Sequence, residues 1–175
     1  MQRLLDFTRA MPLDKAEQDL ATVIESIAGF FQPAILSRQA NLIVDTSEGR
    51  GQFVFADRNL LETLLLTLLS NALDAVSAGG EIRLTCRRQA PGTVGFTVSD
   101  NGSGISAAHL EHVFEPFFTT KEPGKGTGLG LAIARNVVME HGGTIAIESR
   151  PGEGTTAMVD LPLAGVAEAV GRIAP

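Results

Sequence analysis

The sequence contains few of the residues that stabilise many small proteins through disulfides or large aromatic side chains. It has no tryptophan, no tyrosine and a single cysteine, Cys86, among 175 residues. One cysteine excludes an internal disulfide and favours a reducing compartment, so we expect a cytoplasmic protein with Cys86 packed in a core strand. No apolar run approaches the ~18 residues of a spanning helix, and residues 1–11 lack a signal-peptide core, so we expect no direct membrane contact.

Basic residues are also scarce. Lys and Arg number 14 against 20 Asp and Glu, which gives a formal net charge of −6. This balance leaves no basic footprint for nucleic acid, so we expect no nucleic-acid partner. Hydrophobic residues make up 44% of the chain, which excludes disorder, and the length suits one domain of about 100–200 residues.

Glycine, by contrast, is abundant, at 19 of 175 residues against an average usage of about 7%. Glycine at high density marks backbone that needs positive φ or a close approach by another group. The dense stretches lie between strongly patterned segments, which favours a ligand over two floppy loops. The two clusters are Gly102 with Gly104, and Gly124, Gly126, Gly128 and Gly130.

Hydrophobic periodicity predicts helices and strands along most of the chain. A helix is expected over residues 19–39, bent at Pro33, and Asp57 is the expected N-cap of a long helix that ends near Ser77. The other predicted elements are strands at residues 41–46, 53–56, 81–88, 94–98, 144–149 and 155–161, a short helix from Ser106 that carries Leu110, Val113 and Phe114, and a helix from about Thr127 to His141.

These elements predict an α+β fold. The strands are expected to come as hairpins, and the helices are amphipathic. We therefore expect a two-layer α/β sandwich with a mixed, largely antiparallel sheet and helices on one face.

The long helix at residues 57–77 is apolar nearly all round except for one polar stripe. At ~100° per residue, five short polar side chains fall within a narrow sector. An ordinary solvent face is usually rich in Lys and Glu, whereas short amides and hydroxyls suit an internal polar site. We therefore interpret the stripe as the wall of a pocket. Its members are Thr63, Thr67, Ser70, Asn71 and Asp74.

The two glycine clusters could hold the two ends of a nucleotide. Asp100 ends a strand before Gly102 and Gly104, so its carboxylate could accept from an exocyclic amine, although this turn taken alone favours a simple Asx-turn. The second cluster precedes a helix and could cradle phosphate. It is neither a Walker loop, which needs Gly-x-x-x-x-Gly-Lys-Ser/Thr, nor a Rossmann fingerprint, which follows a strand.

The order of these motifs resembles the ATP-binding catalytic domain of bacterial two-component histidine kinases. The resemblance covers roughly residues 40–163 and implies the Bergerat sandwich of the superfamily that includes DNA gyrase and MutL ATPases. One string, Phe-Glu-Pro-Phe-Phe-Thr-Thr-Lys at residues 114–121, resembles the soluble nitrogen-regulator-like subgroup. The other motifs that carry the resemblance are Asn71, Asp100-x-Gly102-x-Gly104 and Gly126-Thr127-Gly128-Leu129-Gly130.

The resemblance implies ATP and Mg²⁺ as cofactors. Asp100 would bind the adenine amine with Gly102 and Gly104 beside the base, and Thr155 would complete the adenine site through water. Asn71 would be an oxygen ligand of Mg²⁺, which prefers hard oxygens.

The phosphates would lie at the second glycine cluster. Lys121 or Lys125 would touch the γ-phosphate as catalytic residues together with Asn71, and residues 115–126 would form a mobile lid over ATP. The resemblance also implies nucleotide contacts for Phe118, Gly126, Thr127, Gly128, Leu129 and Gly130.

Two positions depart from the family's pattern. Thr67 stands one turn before Asn71, where the kinases commonly have Asn and gyrase-like relatives have a Glu that activates water. Because a hydroxyl is a poor general base, we expect inefficient ATP hydrolysis, which favours a kinase. Asp74 stands where some kinases have a basic side chain, and we expect it to be structural or to orient a neighbour.

The chain lacks the family's phosphoacceptor string, His-Glu-Leu-x-x-Pro. We interpret its histidines, His109, His112 and His141, as structural. The expected partners are a histidine-containing dimerisation domain of the parent kinase, absent from this chain, and a response regulator downstream; we expect the isolated domain to be monomeric and not to autophosphorylate. The expected domains are residues 1–12, the remnant of a dimerisation helix or a linker, residues 13–163, the catalytic domain, and residues 164–175, a tail or linker.

Our leading hypothesis is transfer of the γ-phosphoryl of ATP to a histidine on that other domain. A gyrase- or MutL-like ATPase is disfavoured by Thr67 and by the Phe-Phe-Thr-Thr string. An ATP-sensing or protein-binding module without catalysis is disfavoured by the intact glycine loops. A serine kinase of the anti-sigma type is a weaker alternative, since those usually lack this string.

Overall fold

The structure is a computed structural model that describes residues 13–88, 90–122 and 126–165. In this part of the chain the helices are α1 (Leu20–Ser37), α2 (Arg58–Ala75), α3 (Ala107–Leu110) and α4 (Gly130–Glu140). The strands are β1 (Lys15–Asp19), β2 (Asn41–Asp45), β3 (Phe53–Asp57), β4 (Glu81–Arg88), β5 (Thr93–Asp100), β6 (Thr144–Arg150) and β7 (Gly154–Pro162).

A five-stranded sheet in the order β2-β4-β5-β7-β6 is the frame of the fold. Its strands pair antiparallel except β2 and β4, which are parallel. Helices α1, α2 and α4 pack on the face that carries the buried side chains of the sheet. This arrangement confirms the two-layer α/β sandwich with a largely antiparallel sheet.

The alternation in β4 shows why these residues form a half-buried strand. Ile82, Leu84 and Cys86 are at most 1% exposed, and Arg83 and Arg87 are exposed, although Thr85 on their face is buried as well. Cys86 lies in the core, as the sequence predicts, and burial raises the pKa of its thiol to about 12. A thiol with that pKa stays protonated at neutral pH, so Cys86 contributes packing and no chemistry.

Helix α1 begins after Asp19, whose carboxylate accepts from the N–H of Thr22 at 3.3 Å. It continues through Pro33, so the proline does not end the helix. By length and composition alone, α1 could cross a membrane, with a mean hydropathy of 1.4. The core helix of a folded domain passes the same test, and in this fold α1 buries Leu20, Ala21, Val23, Ile24, Ile27, Ala28 and Ile35.

Two features of the N-terminal half differ from the expectation that strands come as hairpins. Strand β1 was not predicted; its polar sequence carries no strand signal, and it forms by pairing antiparallel with β3 in a separate two-stranded sheet. Strands β2 and β3, although adjacent along the chain, lie in different sheets. Because β2 runs parallel to β4, the chain between them makes a crossover that contains β3 and α2.

Two predicted helix bounds are close to the observed ones. Helix α2 ends at Ala75, two residues before Ser77, and α4 begins at Gly130, three residues after Thr127. Helix α3 is a single turn, so Val113 and Phe114 lie beyond it, although Val113 is buried. The interpretation of residues 1–12 as a helix end lies outside the described residues.

His141 connects the end of α4 to the start of α2. Its Nε2 accepts from the N–H of Asp57 at 2.9 Å, and its Nδ1 lies 2.7 Å from the carbonyl of Val137. The first contact makes Nε2 the acceptor, so Nδ1 carries the proton. Burial lowers the pKa of His141 and so favours this neutral ring. These contacts agree with the structural interpretation of His141.

Candidate functional site

A cavity of about 810 Å³ opens between α2, the ends of β5 and β7, and the segment that precedes α4. The polar stripe of α2 forms one wall, since Thr63, Thr67, Ser70, Asn71 and Asp74 all line it. The prediction that the stripe faces a pocket is therefore confirmed. The other predicted site residues that line this cavity are Asp100, Gly104, Phe118, Lys121, Gly126, Thr127, Gly128, Gly130 and Thr155.

Two of the predicted site residues do not line the cavity. Gly102 and Leu129 are next to the cavity in sequence but are not part of its wall. Lys125, predicted to contact phosphate, lies outside the described residues, as does Gly124.

Asp100 stands at one end of the cavity, where β5 pairs with β7. Its register partner is Thr155, and its Oδ1 accepts from the N–H of Gly102 at 2.8 Å. Burial raises the pKa of the Asp100 carboxyl, while backbone N–H groups of Gly102 and Thr155 oppose that rise. A half-buried carboxylate at a strand end, with one oxygen held by the backbone, is suited to accept from an amine of a bound ring.

The glycines after Asp100 allow two close backbone crossings. A Cβ on Gly102 would lie 2.4 Å from the carbonyl oxygen of Ala75, at the end of α2. Gly104 has φ +67°, and a Cβ there would lie 1.9 Å from the carbonyl oxygen of Arg150. The turn is thus fixed between α2 and the β6–β7 hairpin, so glycine is required by the fold whether or not a ligand is present.

Ser149, which no sequence motif indicated, connects this turn to β6. Its hydroxyl accepts from the N–H of Ile105 at 2.8 Å and donates to the carbonyl of Gly154 at 2.7 Å. It also lies 2.9 Å from Thr155 Oγ1. No local sequence motif predicts these contacts, because Ser149 and Ile105 are 44 residues apart in the sequence.

The apolar wall of the cavity was also missed. Val98 and Ala157 each lie two residues from a predicted site residue on the same strand, Asp100 and Thr155 respectively. Successive alternate residues of a strand share a face. The two-residue period of β5 and β7 could therefore have identified them. The apolar side chains of this wall include Val98, Ile105, Val113, Leu131, Ile147 and Ala157.

The opposite end of the cavity is formed by the glycines before α4. Gly128 has φ +66°, and its carbonyl accepts from the N–H of Phe117 at 2.8 Å. A Cβ on Gly128 would lie 2.3 Å from the carbonyl carbon of Phe117, so two backbone segments cross here. Helix α4 starts at Gly130 with no side-chain cap and no acidic residue in its first turn, which favours an anion at this end.

Phe118 and Lys121 bring two kinds of side chain to the cavity from the segment between α3 and α4. The ring of Phe118 lies 5.8 Å, centroid to centroid, from the rings of both His109 and His112. The hydrogen bond to Glu115 raises the pKa of His112. Lys121 Nζ donates to Asp74 Oδ2 at 2.6 Å and to Asn71 Oδ1 at 3.4 Å.

The donor set of this end suits a hard cation that is bound mainly by other ligands. The described residues contain no group of three or more His, Cys, Asp or Glu that could hold a metal ion by itself. They do place the amide oxygen of Asn71 on the cavity wall, whereas the carboxylate of Asp74 beside it is paired with Lys121. Mg²⁺ takes few protein oxygens when phosphates and water supply the rest, so this set fits Mg²⁺ with a bound phosphate.

The chain is similar to curated sensor kinases over nearly its whole length. It is 34% identical over 163 residues to the signal transduction histidine-protein kinase AtoS of Escherichia coli (strain K12), covering 93% of this chain and 26% of AtoS. It is 36% identical over 165 residues to the sensor histidine kinase ZraS of Klebsiella oxytoca, covering 94% of this chain and 35% of ZraS. The chain thus spans about a quarter to a third of these relatives.

Solved structures of histidine kinases share the fold. The catalytic domain of histidine kinase ThkA is 30% identical, with a TM-score of 0.76 over 86% of this chain and 97% of that chain. Full-length ShkA in complex with AMPPNP is 27% identical, with a TM-score of 0.80 over 92% of this chain and 34% of that chain. ThkA in complex with the response regulator protein TrrA is 27% identical, with a TM-score of 0.77 over 93% of this chain and 46% of that chain.

The family profile described as histidine kinase-, DNA gyrase B-, and HSP90-like ATPase matches residues 56–165, which contain every wall residue of the cavity. The chain therefore belongs to the histidine kinase-, DNA gyrase B-, and HSP90-like ATPase family, and it is a catalytic ATPase domain of the type found in sensor histidine kinases.

Proposed function

We propose that this domain binds Mg²⁺ and ATP in the 810 Å³ cavity and transfers the γ-phosphoryl group to a histidine on a dimerisation domain. One observation carries the proposal: three features line the same cavity. They are the carboxylate of Asp100 at the end of a strand, the amide of Asn71, and the glycine turn at residues 126–130 before the N-terminus of α4. The volume lies in the usual range of about 300–1,000 Å³ for ligand sites. The AMPPNP bound to ShkA supports a nucleotide in this fold.

The base end supports adenine as the ring. Asp100 would accept a hydrogen bond from the exocyclic amine. Thr155 beside it would bind a water molecule that hydrogen-bonds to the edge of the ring. Val98 and Ala157 provide an apolar surface against the ring face. A carboxylate accepts but does not donate when ionised, so it favours an amine over a carbonyl at the contacted position.

The opposite end supports the triphosphate. Gly126, Gly128 and Gly130 would present backbone N–H groups, and the N-terminus of α4 adds a positive partial charge. Asn71 would hold Mg²⁺ through its amide oxygen, and Lys121 would contact the γ-phosphate. When bound, Mg²⁺ supplies charge neutralisation for the phosphates.

Catalysis would then depend on positioning. Phosphoryl transfer requires little covalent participation by the protein, so orientation of the γ-phosphate and stabilisation of its charge are sufficient. One turn before Asn71, the position that could hold a carboxylate base is occupied by Thr67. The Thr67 hydroxyl donates to the carbonyl of Thr63 at 2.8 Å. This favours transfer to a protein acceptor over hydrolysis by water.

The acceptor histidine is proposed to lie on a dimerisation domain and not among the histidines of this domain. His141 is 7% exposed, with both ring nitrogens in contact with backbone. A response regulator is the proposed next partner, as in the complex of ThkA with TrrA. We place this reaction in the cytoplasm, where ATP and response regulators are available.

The test is phosphotransfer between separated domains. The chain is mixed with γ-labelled ATP, Mg²⁺ and a dimerisation domain from a sensor kinase that contains its phosphoacceptor histidine, and the label is followed on each protein. Acid-labile, alkali-stable label on the dimerisation domain supports the proposal, and a domain with that histidine changed to Gln is the control. Rapid phosphate release without transfer would indicate an ATPase. Tight ATP binding with neither would indicate a sensing module.

A further inference from the structure

The contact between Lys121 and α2 has a feature that nucleotide binding alone does not require. Lys121 Nζ lies 2.6 Å from Asp74 Oδ2, closer than its 3.4 Å distance from Asn71 Oδ1. Asn71 and Asp74 are three residues apart on α2, so they lie on one side of the helix. The ammonium is therefore held by a carboxylate that is itself part of the cavity wall.

We propose that Asp74 is a positioning residue, which anchors the ammonium of Lys121, and with it residues 119–122, at the phosphate end of the cavity. The inference rests on the proposed function for the role of Lys121 toward phosphate. The anchor itself is a property of the polypeptide and can be measured without a nucleotide.

The segment around Lys121 is folded tightly enough for one side chain to restrain it. The N–H of Lys121 donates to Thr119 Oγ1 at 3.1 Å. A Cβ on Gly126 would lie 2.7 Å from Thr119 Oγ1 and 3.1 Å from Lys121 Cδ, so the chain returns close to its own turn. Fixing the Lys121 ammonium therefore fixes neighbouring backbone as well as a side chain.

Asp74 also forms a second, longer ion pair. Arg38, the residue at the C-terminal end of α1, has its Nη2 at 3.6 Å from Asp74 Oδ1. The longer distance makes this the weaker of the two ion pairs. The side chains of Lys121 and Asp74 are 36% and 35% exposed, so water screens their attraction and the expected effect is modest.

The experiment measures hydrogen–deuterium exchange of the chain without nucleotide in Asp74→Asn, Lys121→Gln and the double variant. Each single substitution is expected to speed amide exchange at residues 119–122 about two- to fivefold, the range for a partly exposed ion pair. The double variant should exchange no faster than either single variant, because both remove the same contact. Lys121→Arg, which keeps the charge, should stay close to the wild-type rate.

Two controls separate an anchor from a general structural role. Arg50→Gln breaks an exposed ion pair in which Arg50 Nη2 lies 3.0 Å from Glu25 Oε1, and neither residue lines the cavity. This variant should leave the exchange rates of residues 119–122 unchanged. Exchange within α2 should also stay unchanged in Asp74→Asn. Additive effects of the two single variants, an unchanged rate in Asp74→Asn, or a wild-type segment as fast as an unstructured peptide would each overturn the anchor. Failure of the wild-type chain to bind ATP in a separate titration would instead overturn the proposed function.

Discussion

The two ends of the cavity are constructed by different kinds of contact. The base end, around Asp100, Gly104 and Thr155, is fixed by strand pairing and by backbone crossings; a Cβ at Gly104 would lie 1.9 Å from a carbonyl oxygen. The phosphate end, residues 117–122 and 126–130, is held by the Phe117–Gly128 backbone contact and by side chains such as Lys121.

This difference indicates how the two ends share the work of binding. Core strands and helices open at free energies that approach that of global unfolding, whereas segments with few buried contacts open locally at low cost. Under the proposed function, the base end would recognise a ring with little rearrangement. The phosphate end would open for entry and close over the phosphates, and it would supply the groups nearest the transferred phosphoryl.

The largest effect is expected from a methyl group at the base end. Gly154 has φ +98°, and a Cβ there would lie 1.9 Å from the carbonyl oxygen of Asp100. Gly154→Ala should lower the free energy of unfolding by about 2–5 kcal/mol, from left-handed backbone strain and overpacking. Thermal denaturation should show a Tm lower by about 5–15 °C.

Gly152 is the matched control for that substitution. It also has positive φ, +77°, but nothing lies within 4 Å of an added Cβ. Gly152→Ala should therefore cost only the backbone strain, about 1–2 kcal/mol. Equal losses in the two variants would show that the crossing beside Asp100 is not tight, and the contrast between the two ends would weaken.

Asp100→Asn tests the base end as a recognition site. Loss of a charge-assisted hydrogen bond to the ring should weaken ATP binding about 10- to 100-fold by calorimetry. Because burial raises the pKa of Asp100, its folded-state stabilisation is present at acid pH and is lost as pH rises through that pKa. The uncharged Asn variant without nucleotide should thus be at least as stable as wild type at pH 7.

Asp160→Asn is the control for Asp100→Asn. Burial raises the pKa of Asp160 as well, but this residue lies further along β7 and does not line the cavity. It should leave ATP affinity unchanged. Similar losses in both variants would mean that charge on the sheet in general, and not the position of Asp100, governs binding.

The contrast between the ends also explains which features were predictable from the sequence. The polar stripe that contains Asn71 was predictable because a helix face is a local pattern, whereas the ligand role of Asp100 came only from the family resemblance, since its turn alone favours an Asx-turn. The Lys121–Asp74 contact was not found, since it joins residues 47 apart through the conformation of a segment that has no periodicity. Strand β1 and the parallel pairing of β2 were missed for the same reason: both depend on tertiary partners.

Gly128→Ala is the phosphate-end counterpart of the Gly154 substitution. The added Cβ would lie 2.3 Å from the carbonyl carbon of Phe117, so the crossing of these two segments must open. We expect ATP affinity to fall about tenfold, from backbone strain of about 1–2 kcal/mol that is relieved when the segment opens. The Tm without nucleotide should fall by less than in Gly154→Ala. A larger fall in Tm would contradict the local character of this end.

Substitution of His141 tests how much the contact between the C-terminal end of α4 and Asp57 contributes to stability. Helix α4 begins at the phosphate end of the cavity. His141→Phe removes the acceptor of the Asp57 N–H and should cost about 1–2 kcal/mol at pH 7.5 by urea denaturation. The lowered pKa means that the native state binds the proton less readily than the unfolded chain. The stabilisation is therefore complete above the unfolded pKa of about 6.5 and declines as pH falls through it.

The free-energy difference between wild type and His141→Phe should accordingly shrink between pH 7.5 and 5. His112→Gln provides a control of opposite sign, because contact with Glu115 raises the pKa of His112. Its stabilisation is present below about pH 6.5 and is lost as pH rises through the folded-state pKa. If the free-energy difference between wild type and His141→Phe did not change with pH, the folded protein would not favour the neutral form of the His141 ring.

The smallest effect is expected at Thr67, on the wall between the two ends. Its hydroxyl donates to the carbonyl of Thr63 at 2.8 Å, and its methyl carbon would lie 3.1 Å from a Cβ on Gly130. Thr67→Val keeps the methyl surface toward Gly130 and removes only the internally bonded hydroxyl. ATP affinity and the rate of phosphate release should both stay within about twofold of wild type, because this hydroxyl is engaged by the helix backbone and is a poor base toward water. A steep fall in phosphate release would instead assign Thr67 to the activation of water and would favour an ATPase over a kinase.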